Sequence, residues 1–406
     1  MTSTAGCPAH IPADRQRVFD YASDPKKAPS PFDAYLEFRG CPAFWSPAAG
    51  GFWVLTDGES VRDAYQDVGL FSSRNIGLGY SGYPDLMIPE QLDPPEHRKY
   101  RALLASWFTP NTAKRLEPVI RTTCARIIDS FVDQGSGDLI PAFLGRFPQS
   151  VFLANIINLP VSELPRFLRW EHQMLRHPQV PAEAARAGEE LRAYLAEVIA
   201  KRAVEPVEND LFSDLLRQEI DGRSVTQAEV QNIAFLLFLA GLDTVTTALA
   251  FAFHFLAGSP EHRAQLVASG PEDERLVTAA VEELLRFHAF VSPVRTANED
   301  ANFHGIPLKR EDRLVLSSVL AARDPREFSQ PDLVDFGRRS NRHMAFGAGP
   351  HRCLGSHLAR VEMKVALQEF HRRVSDYEIE PGVPLSYHAA GVMGLDNLPL
   401  RWTVAR

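Results

Sequence analysis

Phe346-Gly-Ala-Gly-Pro-His-Arg-Cys-Leu-Gly355 is the stretch from which the rest of the chain is read. It places one cysteine, Cys353, in a run of turn residues. Leu354, Leu358, Val361, Val365 and Leu367 then recur at helical spacing. Gly347, Gly349 and Pro350 allow a tight bend and a close approach to something flat and bulky. Cys353 therefore stands at the mouth of a helix, where unpaired N–H groups and the helix dipole favour a thiolate. A thiolate so placed is a nucleophile or a metal ligand. A nucleophile needs a partner base, and neither His351 nor His357 has an orienting third group in the sequence. An axial ligand needs N–H donors around its sulfur, which this loop offers.

The loop resembles the haem-binding loop of the cytochrome P-450 superfamily, Phe-Gly-x-Gly-x-x-x-Cys-x-Gly, at every fixed position. The resemblance runs along almost the whole chain and is nearest to soluble bacterial monoterpene hydroxylases of the camphor type. It implies a mainly α fold with a small β part, triangular in outline. Haem b would lie between the long mid-chain helix and the helix after Cys353, with Cys353 as axial ligand to iron and Phe346 beside it.

Size and composition agree. The chain has 406 residues with 45% hydrophobic content, and no Gly/Ser-rich or charged linker divides it, so residues 1–406 read as one domain behind a loosely held arm, 1–30. A net charge of −8 speaks against nucleic acid or an anionic membrane as partner. Residues 1–10 lack a signal-peptide pattern. The apolar stretch 233–257 is long enough to span a membrane, but Asp243 and His254 interrupt it and no basic flank anchors it, so it reads as a core helix. Four cysteines, widely spaced, suit a reducing cytoplasm. Helical periodicity predicts helices over 95–107, 112–134, 140–158, 161–175, 182–203, 209–219, 226–257, 260–269 and 273–287, with short strands at 43–46, 52–55, 294–297, 302–303 and 314–316.

The long helix carries Ala240, Gly241, Leu242, Asp243 and Thr244. Small residues there leave space beside a flat cofactor, and a threonine hydroxyl bonded to an upstream carbonyl bends a helix. The resemblance assigns Asp243 as proton relay and Thr244 as hydrogen-bond donor to dioxygen. It places Gly241 against the cofactor. Glu283 and Arg286, at i and i+3, share a helix face. By resemblance they lock to Arg338 and are structural. His97, Arg101, Arg295 and His351 are the implied partners of the haem propionates, arginine being suited to carboxylates by its planar fork.

The implied substrate pocket draws on three regions. The loop 74–91 would give Ile76, Tyr80, Tyr83, Leu86, Met87 and Ile88. The long helix would give Leu236, Leu239 and Ala240, and later segments Val291, Val294, Val392 and Met393. So apolar a set fits a small apolar substrate held by shape, such as a terpenoid. Asp85 stands where camphor hydroxylases carry a tyrosine, which speaks against camphor itself. With no flavin or iron–sulfur motif, electrons from NAD(P)H would come through an external reductase and a [2Fe-2S] ferredoxin. That ferredoxin would be drawn to Arg98, Arg101, Arg352 and Arg360. A peroxide-driven enzyme of the same fold, an O-demethylase of small aromatic ethers and a haem sensor or carrier are the alternatives; the acid–alcohol pair argues against the first and the last.

Overall fold

The structure, a computed structural model, describes residues 7–41, 43–78, 86–176, 181–268, 273–389 and 391–404. Local chemistry sets its helix starts. Asp57 accepts from the Ser60 N–H at the start of Gly58–Gln66, and Thr109 from the Thr112 N–H before Pro110–Asp129. Thr226 and Glu229 form a reciprocal capping box at the start of Gln227–Leu242. The five-stranded sheet has the order Ala43–Ser46, Phe52–Leu55, Arg313–Leu316, Val294–Ala297, Phe71–Ser72. Its central residues Trp53, Val54, Leu55, Leu314 and Val315 have no accessible surface. A second sheet joins Val374–Ile379, Pro399–Val404 and Ser136–Asp138, and a hairpin pairs Tyr387–Ala389 with Met393–Leu395.

The helix after the cysteine, Ser356–Arg373, packs along Pro110–Asp129. Ion pairs Arg121–Glu369 at 2.8 Å and Lys364–Glu117 at 3.0 Å stitch the two together.

Three expectations need correction. The segment expected as a loose arm is anchored from Ile11 onward: Phe19 is buried among Tyr35, Phe38 and Phe44, and Ile11 and Tyr21 are also core residues. The helix expected over 226–257 is two helices, Gln227–Leu242 and Thr244–Gly258, meeting at Asp243. The stretches 140–158 and 161–175 each contain a wide-turn segment, Ile140–Leu144 and His172–Arg176. The first is closed by the Gly145 N–H, which donates to the Ile140 carbonyl at 2.7 Å. Gln227–Gly258 is long and apolar enough to cross a membrane, yet 67% of its most apolar window is buried inside the fold, as a core helix is.

Glu283 and Arg286 have essentially no accessible surface, and their contact is a two-pronged ion pair at 2.7 and 2.9 Å. The Arg338 Nε joins the same carboxylate at 2.9 Å, as do the Asn341 amide and the Asp335 N–H. Arg286 also donates to the carbonyls of Ala322, Pro331 and Leu333. One carboxylate thus fastens the irregular segment 322–341, which leads into the cysteine loop, to the helix Glu274–Phe287. Removing it would leave two guanidinium groups buried without their counter-charge. Glu283→Gln is expected to lower unfolding free energy by about 3–5 kcal/mol, read from a chemical denaturation midpoint. A change within ~0.5 kcal/mol, the range of neutral surface substitutions, would contradict this.

Candidate active site

The cysteine loop lies on the helix Gly58–Gln66. Gly347 and Gly349 hold φ of 68° and 65°, and the Cys353 N–H donates to the Phe346 carbonyl at 2.8 Å. A β-carbon on Gly349 would collide with the Tyr65 carbonyl oxygen, and one on Gly347 would stand 3.3 Å from the Tyr65 ring. These glycines therefore allow the loop to lie close on Tyr65, on its backbone at Gly349 and on its ring at Gly347. Phe346 carries the Arg360 guanidinium over its ring at 4.5 Å.

Cys353 is enclosed by the surrounding chain and its side chain keeps accessible surface. Burial pushes its thiol above the usual range, against the opposing pull of the Gly355 N–H, Arg101 and Arg352.

The groove in the long helix is built by hydrogen bonds. The Thr244 hydroxyl donates to the Ala240 carbonyl at 2.8 Å, and the Thr246 hydroxyl to the Leu144 carbonyl at 2.9 Å. The Leu242 carbonyl is taken by the side-chain amide of Gln149 at 2.5 Å. Leu236, Ala240 and Thr244 retain accessible surface, at the spacing that puts them on one face. Gly241 points elsewhere: a β-carbon there would stand 3.2 Å from the Phe152 ring, so close helix packing accounts for this glycine. Asp243 is buried, with its Oδ2 3.4 Å from His388 Nε2.

His97, Arg295 and His351 are buried and come together, with Arg101 beside them. The His97 and His351 rings lie 4.0 Å apart, and none of their four ring nitrogens has a hydrogen-bond partner. Burial, then His351 and Arg101, holds His97 down to about 4. Glu90 sits among these groups, and His351, Arg295 and His97 together hold its carboxyl below the usual range despite burial. Orphaned imidazole nitrogens around a carboxylate are the donor set that haem propionates need, so these residues fit the group that the resemblance implies.

Of the implied pocket, Val291 and Val392 meet as an isolated antiparallel bridge, and the Met393 N–H bonds the Phe290 carbonyl. Ile76, Leu236, Leu239 and Ala240 keep accessible surface, and Leu86 is exposed. Met87, Ile88, Val294 and Met393 are fully packed. Tyr80 and Tyr83 lie outside the described residues.

Sequence reasoning missed Gln149, Glu90, Glu362 and His388. Glu362 lies buried on the cysteine helix, where burial pushes its carboxyl well up. The available signals were Gln149, the one amide in the largely apolar run Phe147–Leu153, and Glu362, an acid on a core-facing helix stripe.

The cytochrome P450 family model matches residues 178–381. The chain is 34% identical to "Probable cytochrome P450 127A1" of Sinorhizobium fredii, over 97% of this chain and 96% of that protein. It is 32% identical to "Cytochrome P450(BM-1)" of Priestia megaterium, over 82% and 86% of the two chains. The solved structure of CYP101J2 superposes with a TM-score of 0.87 at 30% identity, covering 98% of this chain and 100% of that one. A haem-dependent oxygenase fold is thus defined by sequence and structure alike. The chain belongs to the cytochrome P450 family and is an oxidoreductase of that family, which uses haem and dioxygen.

Gly349→Ala should force the loop off Tyr65, since it combines a left-handed φ with a backbone collision. The expected outcome is a lowered melting temperature together with reduced haem content after purification. Wild-type values of both would contradict the packing described.

Proposed function

We propose that the chain inserts one oxygen atom of O2 into a C–H bond of a small apolar substrate, a terpenoid, with Cys353 binding haem b through its iron. Haem, when bound, supplies the iron at which dioxygen is activated. His97, Arg101, Arg295 and His351 would hold its carboxylates. The observation that carries the reading is the broken helix: a hydroxyl and a carboxyl, Thr244 and Asp243, set side by side at the interruption of the chain's most apolar element. In this reading Thr244 turns its hydroxyl from the Ala240 carbonyl to the groove as a donor, and Asp243 holds the next proton behind it. The apolar side chains Leu236, Leu239, Val291 and Val392 exclude water and orient the substrate by shape.

Electrons would come from NAD(P)H through a reductase and a [2Fe-2S] ferredoxin in the cytoplasm. The face suited to an acidic carrier is narrower than the sequence implied. Arg98 and Arg352 are exposed and Arg101 is partly so, whereas Arg360 is bound to Glu282 at 2.5 and 2.9 Å.

With surrogate ferredoxin, reductase and a terpene panel, the wild type is expected to give oxygenated product in proportion to NADH consumed. Thr244→Ala should keep NADH consumption while product per NADH falls roughly tenfold or more, the scale of losing one positioned proton-transfer group. Unchanged coupling would count against the assigned pair. Arg352→Glu should slow reduction while leaving substrate-induced spectral shifts in place, and equal reduction rates would remove this face from the reading.

A further inference from the structure

The proposed function leaves one buried cluster without a role. His388 lies on the hairpin strand Tyr387–Ala389, and its side chain crosses the partner strand toward the long helix. It passes over Gly394, its register partner, where any β-carbon would run into the imidazole and stand 2.9 Å from the Thr247 hydroxyl. Only glycine leaves that passage open. At the far end, Nε2 lies 3.4 Å from the Asp243 carboxylate, an ion-pair distance, with an angle that leaves Nε2 without a true hydrogen bond. At the near end, Nδ1 bonds Asp396 at 2.7 Å. The exposure of these side chains rises along the row: 4% for Asp243, 6% for His388 and 27% for Asp396.

Resting on the reading of Asp243 as the acid of the oxidation, we propose that His388, oriented by Asp396, is a positioning residue that latches Asp243 as its ion-pair partner. Asp396 accepts from Nδ1, so the ring keeps its proton there and directs Nε2 at Asp243. With a proton between Nε2 and Oδ2, the two groups attract. Once that proton leaves to solvent, a bare lone pair faces a carboxylate and the attraction of His388 for Asp243 is lost. The proton supply to the reaction is therefore tied to a titratable group.

The surroundings agree. Burial lowers the His388 pKa, but Asp243 and Asp396 outweigh it and raise it to about 9. The helix Asp24–Lys27 packs on the same strand, but its Asp24 and Lys27 pair with each other at 3.3 Å and its Lys26 is exposed. Asp33 acts on the neighbouring Tyr387. Thr247 adds a hydroxyl and no charge. Because the folded value lies above the ordinary 6.5, the latch is complete below that pH and is lost as pH rises through about 9.

The test is histidine NMR on the haem-loaded, carbon monoxide-bound ferrous protein, with His388 assigned by its loss in His388→Gln. Wild-type His388 is expected to titrate near 9, and Asp243→Asn and Asp396→Asn each to lower the midpoint by about one pH unit or more. These variants keep His388, so a misfolded His388→Gln would not block the measurement. A midpoint in the ordinary range, ~6.5, or one that Asp243→Asn leaves in place, overturns the latch. The second readout is product per NADH against pH. The wild type should show an inflection at the NMR midpoint that Asp396→Asn shifts downward in step; an inflection that stays put overturns the positioning role. Absence of product from the wild type at every pH would instead sink the proposed function, while the NMR midpoints still judge the pairing.

Discussion

Holding the Cys353 loop in place, with its sulfur enclosed by the chain, is the constraint around which the structure is arranged. Burial opposes the thiolate of Cys353, and what the chain offers against it is limited to one N–H from Gly355 and the two guanidinium groups of Arg101 and Arg352. Those donors act only if the loop is held still. Tyr65 beneath the glycines, the Phe346 carbonyl bonded to the Cys353 N–H, and the Glu283 carboxylate binding Arg286 and Arg338 do that holding.

The second constraint is a proton path through the most apolar element of the fold. A continuous helix would keep its carbonyls to itself. Here the Ala240 and Leu242 carbonyls are bonded by Thr244 and Gln149 side chains, and the helix breaks at Asp243 without leaving them unpaired. The same break puts a carboxylate at 4% exposure, which needs a counter-charge, and His388 reaches across Gly394 to face it. The groove, the acid and its partner are therefore consequences of one interruption.

Motifs local in sequence were legible. The cysteine loop, the Glu283–Arg286 spacing and the helix following Ser356 all depend on residues within a few turns of one another. Arg338 became legible only through resemblance, being 55 residues from Glu283. What escaped notice was set by contacts across the fold. Gln149 lies 93 residues from the carbonyl it binds, and the reason for Gly241 is a phenylalanine ring from another helix. The arm before residue 30 looked loose because its polar residues mask single aromatics such as Phe19, each anchored by partners further along the chain. Periodicity also ran straight through 226–257, since Asp243 and Thr244 alter backbone bonding without disturbing the apolar pattern.

The central claim is that the sulfur of Cys353 bonds the haem iron. Iron-edge X-ray absorption on the purified protein tests it most directly. The account predicts one sulfur neighbour in the first shell of the iron beyond the four porphyrin nitrogens, absent in Cys353→His. A first shell of nitrogen and oxygen alone in the wild-type protein would contradict it.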